Sequence, residues 1–131
     1  MSAPNIVNVT AIYGSTTSYI PSGTTNVVLL ANVAASNTVM KINSITVANL
    51  DASALVSATV AIYTNGAVAQ GSAPSGGTAY AIASTVGVPA NASLIVTDKS
   101  TSFYLQEGTS LAITSGVASK LVFTVSYELI S

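Results

Sequence analysis

Lys120-Leu121-Val122-Phe123-Thr124-Val125-Ser126-Tyr127-Glu128-Leu129 is the stretch whose pattern decides the fold. Leu121, Phe123, Val125, Tyr127 and Leu129 share one parity. Lys120, Thr124, Ser126 and Glu128 share the other, with Val122 the exception. Side chains alternate across a β-strand, so the pattern predicts a strand with one face in a core and one in water.

The same reading extends upstream. The residue mix is Val, Ile, Thr, Ser and Ala, and β-branched side chains are stiff and suit a pleated surface. Leu111 and Ile113 mark a short strand before Ser115-Gly116, and Phe103 and Leu105 mark another before the turn at Glu107-Gly108. Ser93–Thr97 ends at a turn, Asp98-Lys99, and Ala79–Val88 is closed by Pro89. Val56, Ala58, Val60 and Ile62 alternate up to Asn65-Gly66, a strong hairpin signal. The Gly/Ser/Ala-rich stretch Ala67–Gly77 that follows reads as a long mobile loop and an exposed tip. In Thr38–Leu50, Met40 and Ile42 hold one parity, then Ile45 and Val47 the other. That slip near Asn43-Ser44 predicts a β-bulge or a bend between sheets.

Thr25–Val33 is apolar on both faces, as in a strand covered on both sides. Ile6–Tyr13 predicts a first strand, with Val7, Val9, Ala11 and Tyr13 on one face, and Gly14–Gly23 reads as a Ser/Thr/Gly/Pro connection. The one helix-like window, Asp51–Val56, is a single turn at most. Eight or nine short strands with regular turns give an all-β chain, an antiparallel β-sandwich of jelly-roll-like form. An immunoglobulin-like sandwich is the alternative. At 131 residues the chain reads as one domain, 1–131, with no linker and no internal repeat.

Composition removes most chemistry. Only Lys41, Lys99, Lys120, Asp51, Asp98, Glu107 and Glu128 carry charge, and there is no Arg, His, Cys or Trp. Without His or Cys there is no imidazole base, Ser-His-Asp triad, thiolate nucleophile, disulfide or zinc ribbon. Three dispersed lysines fall short of the roughly 6–10 phosphate contacts of a typical DNA binder, so nucleic acid is not expected as a direct partner. A spanning helix needs about 20 apolar residues. Val27–Ala35 has only nine and contains Asn32, so no membrane association is expected. Met-Ser-Ala-Pro-Asn opens the chain without a basic or apolar leader pattern, which reads as no signal peptide.

The four acids form no D-x-D spacing for calcium, and Asp51, Asp98 and Glu107 sit at turns, where carboxylates cap main-chain N–H groups. That structural role outweighs a glycosidase pair, because no aromatic sugar platform accompanies them. Gly71-Ser72-Ala73-Pro74-Ser75-Gly76-Gly77 lacks the Lys and helix of a phosphate loop. The sequence therefore assembles no catalytic, cofactor-binding or metal-ligating set, and no enzyme activity or cofactor is expected. Six tyrosines remain. Tyr13, Tyr63, Tyr104 and Tyr127 lie in or beside strands, where a half-buried ring with its hydroxyl at the rim is ordinary. Tyr13, Tyr19, Tyr63 and Tyr104 are the candidate interface residues, Tyr being enriched where proteins meet. Tyr63 and the loop Gly66–Gly77 also suit a sugar-binding adhesin or receptor-binding tip.

Charged residues make up 5% of the chain against about 25% in ordinary soluble domains. Mean hydropathy is +0.64 and the formal net charge is -1. Little charge keeps copies apart, so much of the surface is expected to be covered by other protein.

Phe103-Tyr104-Leu105-Gln106-Glu107-Gly108-Thr109-Ser110-Leu111, then Leu121–Glu128, give the C-terminal half its cadence. Upstream stand Ile45-Thr46-Val47-Ala48-Asn49-Leu50-Asp51 and Val88-Pro89-Ala90. Over residues 38–130 this phrasing resembles small all-β virion structural proteins of tailed bacteriophages. The resemblance implies a capsid decoration or cement protein, or a tail, neck or fibre component. It further implies a homotrimer whose partners are its own copies and the major capsid protein or other virion proteins. Its location would be the virion, assembled in the host cytoplasm. Residues 1–22 would be an extended N-terminal arm reaching a neighbour.

Overall fold

A computed structural model describes residues 9, 11–64 and 68–131. In chain order the strands are β1 (Ile12–Tyr19), β2 (Val27–Asn32), β3 (Val39–Asn49), β4 (Val56–Tyr63), β5 (Ala79–Val88), β6 (Ser93–Thr97), β7 (Phe103–Leu105), β8 (Thr109–Ser115) and β9 (Leu121–Ile130). A single 3₁₀ turn, Lys99–Thr101, separates β6 from β7. Two antiparallel sheets result, one ordered β1-β9-β3-β6 with β7 also on β3, the other β2-β8-β4-β5.

The pairing is nested. β1 pairs with β9, β2 with β8, β3 with β6 and β7, and β4 with β5. A long hairpin rolled into two sheets gives that order, which is the jelly-roll arrangement. The immunoglobulin alternative pairs its first strand with its second. Here β1 and β2 lie in different sheets.

β9 is the axis of the first sheet, carrying β1 on one side and β3 on the other. Its inward residues Leu121, Phe123 and Val125 are fully buried, and Tyr127 packs against the same core. The opposing sheet contributes Leu29, Val56, Ala58, Val60, Leu111 and Ile113. Phe123 is the largest of the fully buried side chains. The parity slip read at Asn43-Ser44 is a register shift against β9 between Ile42 and Ser44. A second shift lies within the β3–β6 pairing, between Ile45 and Thr46.

One sequence expectation needs correction, and two fall wholly or partly outside the described residues. Gly14–Gly23 is not all connection, because β1 runs through Tyr19 and pairs residue for residue with β9, from Ile12↔Ile130 to Tyr19↔Phe123. Ser and Thr occupy its outward positions, and Ser18 Oγ lies 2.9 Å from Thr124 Oγ1. The side of β9 left open by β3 overrides the local turn preference of those residues. Of the expected first strand Ile6–Tyr13, residues 6–8 and Thr10 lie outside the described residues, as does the Asn65-Gly66 turn. Asp51–Val56 forms no helical turn, and Asp51 Oδ1 instead accepts from the main-chain N–H groups of Ser53 at 2.9 Å and Ala54 at 3.1 Å.

The segment after β4 is not simply an exposed tip. Val28 N donates to Ser72 O at 2.9 Å, and Gly71 N donates to Val28 O at 2.9 Å. Gln70 Nε2 donates to Leu29 O at 2.9 Å and to Thr17 Oγ1 at 3.1 Å. Residues 70–72 therefore strap the outer edge of β2 and reach across to β1 in the other sheet. Gly71 makes this approach with φ +89°, and a Cβ there would stand 2.7 Å from the Tyr19 hydroxyl oxygen.

Candidate functional site

Two open sheets leave four strand edges, each with unpaired main-chain groups that can template another strand. The β2 edge is taken by the strap. β6 is five residues long and runs into the capped 3₁₀ turn with Lys99 at its start. β1 presents the polar run Gly14-Ser15-Thr16-Thr17-Ser18. β5, Ala79-Tyr80-Ala81-Ile82-Ala83-Ser84-Thr85-Val86-Gly87-Val88, holds neither charge nor proline, as is also true of β1, β2 and β6; it is the longest of the four at ten residues, and its first four residues are all exposed.

The inner side of β5 is irregular. Its register with β4 shifts between Ala58 and Val60 and again between Val60 and Ala61. Thr85 has φ 48°, and its N–H donates to Thr59 Oγ1 at 2.9 Å. Ahead of these bulges the ladder is regular, with Tyr63↔Ala79, Ile62↔Tyr80 and Ala61↔Ala81. Tyr80 is 61% exposed although it sits opposite Ile62, which packs against the core.

The candidate interface tyrosines do not form one patch. Tyr13 shares a row with Leu129, Met40 and Leu105, and Tyr104 lies one row on, beside Lys41, so the two exposed rings point to opposite faces of their sheet. Tyr19 packs against the core with its hydroxyl over Gly71. Tyr63 lies on the outer face of the second sheet, with its hydroxyl accepting from Asn26 Nδ2 at 2.6 Å. Asn26 Oδ1 in turn accepts from Thr114 Oγ1 at 3.1 Å. Tyr63 stands opposite Ser110 whereas Thr114 stands opposite Thr59, so the ring runs along β8 over the buried Ala112. Tyr80, which the sequence reading did not single out, is exposed on the edge strand β5, as Tyr13 is on the edge strand β1. Its signal was available: an uncharged alternating run that follows the glycine-rich stretch Gly71–Gly77.

Two depressions flank the sheets. One, of ≈ 650 Å³, lies on the outer face of the first sheet and is lined by Gly14, Ser15, Thr16, Lys41, Asn43, Lys99, Ser126, Tyr127 and Glu128. Two of the chain's three lysines meet there beside one of its four acids. Lys41 stands between Glu128 and Tyr104 in register, and Asn43 Nδ2 donates to Glu128 Oε1 at 3.4 Å. The other, of ≈ 590 Å³, opens below the strap and is mainly apolar, lined by residues that include Leu29, Leu30, Val33, Val68 and Tyr127.

The remaining acids serve the fold. Main-chain N–H groups of Ser53 and Ala54 hold the Asp51 carboxyl below its ordinary value. Asp98 caps the 3₁₀ turn, and its carboxyl is lowered by the Ser100 hydroxyl and then by the Ser100 N–H. Glu107 Oε2 accepts from Asn37 N at 2.7 Å, joining two turns. Among the described residues no three His, Cys, Asp or Glu side chains converge, and no helix is long and apolar enough to cross a membrane.

No family model matches the chain, and no curated protein matches it either. Among solved structures, a chain from the structure of infectious bursal disease virus, Gx strain, aligns at a TM-score of 0.44 and 17% identity over 92% of this chain. The present chain spans 31% of the length of that solved chain.

Proposed function

We propose that this chain is a non-enzymatic structural component of a virion, a decoration or cement protein that docks on the shell of a tailed bacteriophage as a homo-oligomer. The observation that carries the reading is a ten-residue uncharged edge strand, with no strand paired to its outer side among the described residues, on a molecule with seven charges in 131 residues. Ile12, Tyr13, Leu55, Tyr80 and Ile95 are each more than half exposed. Surfaces of this kind suit an obligate interface, which resembles a core cut in half. The phrasing shared with small phage virion proteins points the same way. On this reading the chain needs no cofactor, and its partners are its own copies and other virion proteins rather than nucleic acid or a membrane.

The test is the composition of purified source particles. Quantitative mass spectrometry should find this chain in many copies per particle, and a particle map should place it at symmetric sites on the shell. A few copies confined to the tail would identify a tail, neck or fibre subunit instead. Absence from particles would refute the reading.

One observation favours a second reading, a sugar- or receptor-binding adhesin module. The polar depression beside Tyr104 gathers Lys41, Lys99, Asn43 and Glu128 in a chain with few such groups. Glycan-array binding that Lys41→Ala and Tyr104→Ala both abolish would support it. A well-folded sample that binds no glycan would exclude it.

A further inference from the structure

We propose that the first half of β5 is a self-pairing edge, and that its occupant is the same segment of a second copy, antiparallel about a dyad through Tyr80. This deepens the structural reading above by naming the partner and its contact.

The direction of the main-chain groups comes from the ladder. Thr64 N donates to Thr78 O at 3.1 Å, so Thr64 and Thr78 form a hydrogen-bonded pair. Such pairs alternate in an antiparallel ladder. The next hydrogen-bonded pair is therefore Ile62↔Tyr80, and Tyr63↔Ala79 and Ala61↔Ala81 are the non-bonded ones. The N–H and C=O groups of Ala79 and Ala81 consequently point away from β4, toward the open edge.

That spacing is its own complement. With a dyad through Tyr80, Ala79 of one copy faces Ala81 of the other, and the two outward pairs close four main-chain hydrogen bonds. Tyr80 then meets Tyr80 of the second copy at a non-hydrogen-bonded position, where side chains approach closest and aromatic pairs are favourable. No charge in β5 opposes the pairing. The bulges that begin after Ala81 confine it to a short segment, and a dyad uses up the edge, so the product is closed and not a growing filament. The result is a continuous sheet of the two copies, with twofold symmetry in place of the threefold unit that the phage resemblance implies.

Cross-linking tests the register directly, because the natural chain has no cysteine. In a non-bonded pair the Cα atoms lie about 4.5 Å apart, inside the disulfide range of about 4.4–6.8 Å. Full-length Tyr80→Cys should oxidise to a covalent dimer that reductant dissolves. Ala79→Cys should not, since its own counterpart lies two residues along, beyond about 7 Å. By light scattering the unmodified protein should have about twice the 13.0 kDa chain mass. Tyr80→Lys, which sets like charges opposite each other, and Ala81→Pro, which removes an outward N–H, should each give a folded monomer whose melting temperature no longer rises with protein concentration, as that of the dimer should. The proposal is overturned if Tyr80→Cys cross-links no faster than Ala79→Cys, or if both interface variants keep the unmodified protein's mass. Particle incorporation is read separately. A chain found in particles whose mass ignores the variants refutes the edge alone. A dimer abolished by the variants but never found in particles refutes the virion reading alone.

Discussion

Asn49 Nδ2 donates to the main-chain oxygen of Val88 at 2.9 Å, from a side chain that is 4% exposed. This bond ties the end of β3 in one sheet to the end of β5 in the other. The same nitrogen reaches Ala54 O at 3.0 Å, and Asn49 Oδ1 accepts from Asp51 N at 2.8 Å. Asn32 does equivalent work elsewhere, donating to Thr38 O and Leu105 O at 3.0 Å each while accepting from Ser36 Oγ at 2.7 Å. Two buried amides thus fasten corners that an apolar core leaves free to slide.

Replacing Asn49 with Ala strands buried carbonyl groups, which costs about 1–3 kcal/mol. The same range applies to Asn32→Ala. The two sites share no partner, so urea denaturation of the double variant should return the sum of the singles to within about 0.5 kcal/mol.

Phe123→Ala removes the largest fully buried side chain at the centre of the β9 ladder. Equilibrium denaturation should show a loss of about 3–5 kcal/mol. Thr124→Ala, one residue along and facing outward beside Ser18, should cost no more than about 1 kcal/mol.

Gly71→Ala should destabilise more than Gly76→Ala. Both glycines have positive φ, 89° and 81°, so each substitution meets backbone strain of about 1–2 kcal/mol. Only at Gly71 does the new methyl also meet the Tyr19 hydroxyl, whereas nothing stands within 4 Å at Gly76. Equal losses in thermal denaturation would show that the strap does not rest on Tyr19.

The chain has no His, so no side chain with an ordinary pKa titrates between about pH 5 and 8, and melting temperature should be flat there. Asp51 and Asp98 have folded-state values below 3.8, so the fold binds their protons more weakly than the unfolded chain does. Their contribution is present above the unfolded value and is lost as pH falls through it toward the folded one. The double variant Asp51→Asn, Asp98→Asn should therefore show a shallower loss of melting temperature below about pH 4. An unchanged acid slope would mean that these caps do not couple to folding.

Much of this architecture was legible in single residues. The parity of Leu121–Leu129 and the slip at Asn43-Ser44 became β9 and its register shift, because burial of one face imposes a period of two on the sequence. β1 was hidden, since Gly14–Tyr19 contains turn-forming residues and is a strand only because β9 offers it a partner. The strap was hidden for a similar reason: Gly71 looks like loop filler until the Tyr19 ring is placed above it. The open edge of β5 depends on strand order, which periodicity does not encode. Tyr63 and Tyr80 look alike in sequence, yet Asn26 holds one hydroxyl while the other ring is exposed on an edge strand.

The most direct measurement is a three-dimensional map of the source particle. Density for this two-sheet domain is expected at repeated symmetric positions on the shell, with neighbouring copies in contact. Purified, intact particles that lack the chain altogether would contradict it.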